Sequence, residues 1–209
     1  MKPKLTFLLA LTFLFLFSGS SVVFGDDLQD ATDAYKRKDY ETAYKLILPI
    51  AEQGDAKAQS NLGHMYQQGL GVPQDYKESI KWNRLSAQQG YAPAQYHLGI
   101  MYQNGFGVPQ DYKEAVNWYR LSAEQGDAYA QFNLGDMSEN GFGVPQDYKE
   151  AVKWFRLSAE QGYSKAQANL GLMYYNGQGV PQDYKEAVRL FRLAAEQENA
   201  EGQNNLGLM

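Results

Sequence analysis

The stretch Gly107 to Ala115, GVPQDYKEA, decides the fold, because the chain repeats it. Its first eight letters also begin at Gly71, Gly143 and Gly179, a spacing of 36 residues each time. A fixed period between 20 and 50 residues is the mark of a solenoid, in which each unit buries its apolar face against the next. Aligned on this period, the chain holds four full units, residues 55–90, 91–126, 127–162 and 163–198, and a truncated fifth at 199–209.

Each unit reads as two helices. The first carries Ala94-Gln95-Tyr96-His97-Leu98-Gly99-Ile100-Met101 and its copies. Ala94, Leu98, Met101 and Tyr102 fall at i, i+4, i+7 and i+8, one face of a helix. Gly99 lies beside that stripe, where it costs roughly 1 kcal/mol of helix propensity. It recurs as Gly63, Gly135, Gly171 and Gly207, which points to close approach of a neighbouring helix.

The second helix starts at Asp111, the expected N-cap, with Glu114 three residues on as the reciprocal partner of a capping box. Tyr112, Ala115, Val116, Tyr119, Ser122 and Ala123 form its apolar stripe. Trp118 and Leu121 fall outside the stripe, so this helix is expected to pack on two sides. Between the helices, Gly105 is expected to close the first, Gly107 and Pro109 to shape the turn, and Val108 to tuck under the hairpin.

The pattern A-Q-x-x-L-G-x-M-Y…G-x-G-V-P-x-D…A-x-x-W-Y-R-x-A-A-E-x-G resembles the Sel-one-like repeat, a relative of the tetratricopeptide repeat, over Asp55 to Glu198. Departures are Ser138 for the aromatic, Leu190 for the tryptophan, Asn83 for the tyrosine and Glu198 for the last glycine. The resemblance implies an all-α fold, a right-handed α-solenoid of stacked antiparallel helix pairs, and a protein-binding role. Residues 26–54 read as a degenerate leading pair: Asp39-Tyr40 aligns with Asp75-Tyr76, the connector is shorter, and Pro49 is expected to kink the second helix.

Residues 1–25 read as a secretory signal peptide. Lys2 and Lys4 precede an uncharged apolar run, Leu5 to Phe17, that is shorter than the about 20 residues of a membrane span. The expected cut lies near Gly25, and the expected location is periplasmic or secreted. The absence of cysteine leaves stability to packing alone. The net charge of −5, more negative once Lys2 and Lys4 are removed, disfavours nucleic acid as a partner.

No catalytic residue, cofactor or metal ligand is assigned. Asp111 with Glu114 recurs at every second-helix start, which is capping rather than acid–base chemistry. His64 and His97 occupy different repeat positions and lack further ligands at metal spacing. Arg84, Arg120, Arg156 and Arg192 form a ladder, with Gln88, Glu124, Glu160 and Glu196 four residues later as expected surface partners.

The units differ most on the first-helix side opposite the Ala-Leu-Met stripe. Drift on a solvated face would give mainly polar residues. This face instead holds Tyr96, Ile100, Tyr129, Phe132, Leu172 and Tyr175, with Asp136 and Glu139 among them. Apolar groups gathered on one surface mark a binding site. These eight residues are the candidate site, on a face that the resemblance makes concave, for a protein or peptide partner carrying Lys or Arg. The alternative is an envelope enzyme of the β-lactam-hydrolysing kind associated with cysteine-rich relatives, which the lack of cysteine disfavours.

Overall fold

Eleven helices and no strand are present among residues 23–209, which the computed structural model describes. The leader falls, up to residue 22, outside the described residues. The helices are α1 (Val23–Lys36), α2 (Tyr40–Glu52), α3 (Ala56–Gln68), α4 (Tyr76–Gln88), α5 (Ala92–Asn104), α6 (Tyr112–Glu124), α7 (Ala128–Asn140), α8 (Tyr148–Glu160), α9 (Ser164–Asn176), α10 (Tyr184–Glu196) and α11 (Ala200–Gly207). They pair as read from the period and stack as an all-α solenoid, each packing mainly on its chain neighbours. None is long and apolar enough to cross a membrane. Helix α2 runs through Pro49 to Glu52. Helix α11, in the truncated fifth unit, is eight residues long, just over two turns.

The caps follow the sequence with one correction. Asp111 Oδ1 accepts from the Lys113 and Glu114 amides at 3.0 and 3.1 Å. The reciprocal half of the capping box is not made, because the Asp111 amide donates to the Tyr102 carbonyl at 2.9 Å. That bond ties the second helix back to the first. Glu114 is left to accept from Asn117, and its copies pair one turn onward: Glu78 with Lys81, Glu150 with Lys153 and Glu186 with Arg189.

Gly105 closes α5 at φ 73°, with its amide on the Met101 carbonyl, as expected. Gly107 does more than shape a turn. At φ 74° it lies so close to the Tyr76 carbonyl of the preceding unit that a Cβ would collide with it. The copies Gly143 and Gly179 lie in the same way against the carbonyls of Tyr112 and Tyr148. Beside this contact Phe106 stacks on Tyr76 at 5.1 Å, and Phe142 on Tyr112 at 5.2 Å. The connector of each unit is thus laid on the second helix of the unit before. Val108, Val144 and Val180 tuck into the adjoining cores.

Within a unit, Gly99 lets the Tyr119 ring approach its backbone, and Gly135 and Gly171 do the same for Phe155 and Phe191. Between units, the buried glutamine of the A-Q pair acts as a polar rivet. Gln95 Nε2 donates to the Ala87 carbonyl of the preceding unit, and its Oε1 accepts from Gln125 at 2.7 Å. Gln59, Gln131 and Gln167 repeat the arrangement. Buried amides satisfied on both sides fix register as well as contact. Tryptophans 82 and 154 are buried over the groove between neighbouring units and Trp118 is half-buried there, whereas Leu121 is 45% exposed, so only one of the two off-stripe residues packs.

The arginine ladder is also corrected. None of Arg120, Arg156 and Arg192 pairs with the glutamate four residues on. Arg84 Nη2 instead donates to the Tyr102 hydroxyl at 2.5 Å, and Arg156 Nη2 to that of Tyr174 at 2.9 Å. The residue 18 places after Arg120 is Ser138, which has no ring hydroxyl to offer, and no such bond forms there.

Candidate partner-binding face

The first helices α3, α5, α7 and α9 bring their variable positions into one row, and the row is aromatic. Tyr96 lies 6.0 Å from Tyr129 and 6.0 Å from Tyr119, ring centre to ring centre. Tyr129 meets Tyr163 edge-on at 5.0 Å, and Phe132 meets Tyr163 at 5.2 Å and Phe155 at 5.7 Å. Such centroid separations and tilts are those of favourable aromatic pairs. Tyr163 was not among the expected residues. As the N-cap of α9 it makes no side-chain cap bond, so its ring is free to join the row.

The eight candidate residues divide into two kinds. Tyr129, Leu172 and Tyr175 are exposed, at 53%, 39% and 40%. Tyr96, Ile100 and Phe132 are half-buried and pack against the neighbouring cores. The reason is the position of Tyr96 and Phe132, which faces the second-helix ring of their own unit. Its copies Ser60 and Ala168 are buried outright. That position is therefore as much packing as surface.

Asp136 and Glu139 are half-buried on α7 and form no ion pair among the described residues. Burial pushes both carboxyls up, and the Asp136 charge adds to the effect on Glu139. Next to them Tyr119 donates to Gln103 Oε1 at 2.5 Å, and the Tyr96 hydroxyl is pushed up to about 12, first by burial and then by Tyr163 and Asp127. An unpaired, partly desolvated carboxylate pair favours a cation brought from outside.

Two residues dismissed on sequence grounds meet here. His64 on α3 and His97 on α5 sit 6.0 Å apart, with Tyr35 a further 6.4 Å from His64. Their repeat positions differ by three, one helical turn, and a residue of one first helix meets the residue one turn earlier on the next. Burial lowers both imidazoles, with His97 held near 4, where His64 adds a smaller push. At this end of the face a cavity of about 320 Å³ opens between Tyr35, Ile47 and Met65, edged by Lys57, Asn61 and His64. No group of three or more His, Cys, Asp or Glu among the described residues is arranged to hold a metal ion.

Compared with protein-family models, the chain matches the Sel1 repeat at residues 32–55, 56–91, 92–127, 128–163 and 164–199. The matched units start within one residue of those read from the period, and the leading pair is matched as a repeat from residue 32. A search of curated proteins finds no match. Among solved structures, the chain is similar to a Sel1 repeat protein from Oxalobacter formigenes, with a TM-score of 0.82 and 37% identity over 87% of this chain and 72% of that one. It is also similar to a protective antigen present in uropathogenic Escherichia coli strains that displays an SLR fold, with a TM-score of 0.78 and 47% identity. That match covers 79% of this chain and only 36% of the length of the antigen.

Proposed function

Because this chain belongs to the Sel1 repeat family, we propose that it is an exported protein-binding scaffold that holds a partner segment along its first-helix face and carries out no catalysis. One observation carries the reading. The aromatic row runs from Tyr96 through Tyr129 and Tyr163 to Phe132, and Tyr129 stays exposed while Tyr96 and Phe132 are anchored in the cores; Tyr175, also exposed, stands farther along α9 against Tyr184. Rings that present large area at small entropic cost suit recognition, and a few of them dominate an interface. The uncompensated Asp136 and Glu139 favour a segment that brings Lys or Arg to the middle of the face. The cavity at Tyr35, Ile47 and Met65 offers room for one of its side chains.

The test substitutes the two exposed tyrosines. Tyr129→Ala with Tyr175→Ala is expected to weaken capture of the partner by about 2 kcal/mol, with circular dichroism unchanged, whereas Arg120→Ala on the other layer does much less. Tyr96→Ala with Phe132→Ala would remove packing together with surface and is the poorer choice. Partner binding that ignores the Tyr129 and Tyr175 changes would sink the assignment. Export is supported by the leader-like start of the sequence. N-terminal sequencing of the exported product should begin at or near Asp26, and an intact Met1 would contradict it.

A further inference from the structure

The second-helix layer carries a row of three indoles that ends in a leucine. Trp82, Trp118 and Trp154 stand at one position in three successive units, and Leu190 stands there in the fourth. Each indole covers the groove between the preceding second helix and the first helix of its own unit; Trp154, for example, packs with Ala123 of α6 and Leu134 of α7. Leu190 covers the corresponding groove of α8 and α9, and its side chain is much smaller. At that groove a cavity of about 330 Å³ opens, lined by Leu170, Leu190 and Leu193 and by the charged Arg156, Glu160, Glu186 and Arg189. This size is at the lower end for ligand sites and suits one large side chain.

In the neighbouring unit Trp154 shows one way such a groove holds a ring, whereas the indole N–H groups of Trp82 and Trp118 find no partner among the described residues. Trp154 Nε1 donates to Glu150 Oε1 at 2.6 Å, and Lys153 Nζ lies 4.7 Å from the ring centre. Glu186 and Arg189 are the counterparts of Glu150 and Lys153 one repeat later. They hold each other, Arg189 Nε on Glu186 Oε2 at 2.8 Å and Nη2 on Oε1 at 2.6 Å, as Lys153 holds Glu150 at 3.2 Å beside its indole.

We propose that this cavity is a socket for the indole of a tryptophan side chain supplied by a protein partner. The leucines take the apolar body of the ring. Glu186 accepts its N–H, as Glu150 does for Trp154, and Arg189 lies over its face, as Lys153 does. Tryptophan is the side chain that combines this apolar area with a single donor, and it is the residue most enriched at the centres of interfaces. The assignment is independent of the first-helix face, because it uses the other helix layer.

The test titrates the full chain with N-acetyl-tryptophanamide by calorimetry, with N-acetyl-phenylalaninamide and free indole as comparisons. Saturable binding of the tryptophan amide is expected, several-fold tighter than that of the phenylalanine amide. Leu190→Trp should fill the socket with the chain's own ring, raising Tm and weakening the tryptophan amide at least tenfold. Glu186→Ala with Arg189→Ala should weaken it several-fold at unchanged helical content, and this variant decides the matter if Leu190→Trp fails to fold. Wild-type affinity in either folded variant, or equal binding of the two amides, overturns the proposal. Binding of free indole without binding of the tryptophan amide also overturns it, since the mouth would then not admit a ring carried on a chain.

Discussion

The connectors and the first-helix face lie within the same units and obey opposite rules. The connector GVPQDYKE is written identically four times, while the face holds His64, Ile100, Asp136 and Leu172 at a single repeat position. The connector cannot vary because it makes backbone-on-backbone contact: Gly107 lies against the Tyr76 carbonyl, and the Asp111 amide bonds that of Tyr102. The face can vary because its side chains point away from the joints. What stays constant in this chain is the geometry between units, and what changes is the chemistry displayed on it.

Three experiments would break or sharpen that contrast. The largest effect belongs to the connector. Gly107→Val should destabilise by about 4 kcal/mol, the sum of a β-branched residue at positive φ and a collision with backbone that cannot give way. Urea unfolding would measure it, and a loss below about 1 kcal/mol would mean that the connector does not bear on the neighbouring unit.

The second concerns the end of the face where two imidazoles reach into the packing. His97 titrates near 6.5 when unfolded and near 4 when folded, so between those values the unfolded chain binds the extra proton. Stability is therefore full above about pH 6.5 and falls as the pH drops toward 4, by up to about 3 kcal/mol, with His64 acting in the same direction. His97→Asn installs the residue found at positions 61, 133 and 169 and should flatten most of that slope in melts at pH 4.5 and 7.5. An unchanged slope would place the titrating group elsewhere.

The smallest effect tests the one full unit that ends without glycine. Glu198 sits at φ 58° where Gly90, Gly126 and Gly162 stand in the other units. Glu198→Gly should stabilise by about 1 kcal/mol, since only glycine adopts that conformation without steric cost. A fall in Tm would show that the glutamate makes a compensating contact.

The sequence carried the period, the helix pairs, the Asp111 cap, the closing role of Gly105 and the ring-facing role of Gly99, because each rests on local chemistry or helical spacing. It did not carry contacts between units. A turn glycine and a glycine pressed on a neighbour are the same letter, so Gly107 read only as a turn. The meeting of His64 and His97 was hidden because stacked first helices are offset by one turn, while aligned repeats compare like positions. Arg84 was paired along its own helix, whereas its partner Tyr102 lies on the next one. For the face, the sequence located the row but not its depth. Tyr96 and Tyr129 look alike in composition, but Tyr96 stands at the repeat position that meets the second-helix ring of Tyr119 and is half-buried, whereas Tyr129 is exposed.

The seating of each connector on the unit before it has a mechanical meaning. Tension applied to the two ends would load the joints in series, each closed by the same glycine, the same carbonyl and the same rivet of paired glutamines. The chain would then yield in nearly equal steps, each releasing a unit of 36 residues, about 120 Å of contour. The earliest rip should come from the unit with the smallest interior side chains. The unit of Gly63 is the first candidate among the four, because Asn83 fills there the space that Tyr119, Phe155 and Phe191 fill with a ring.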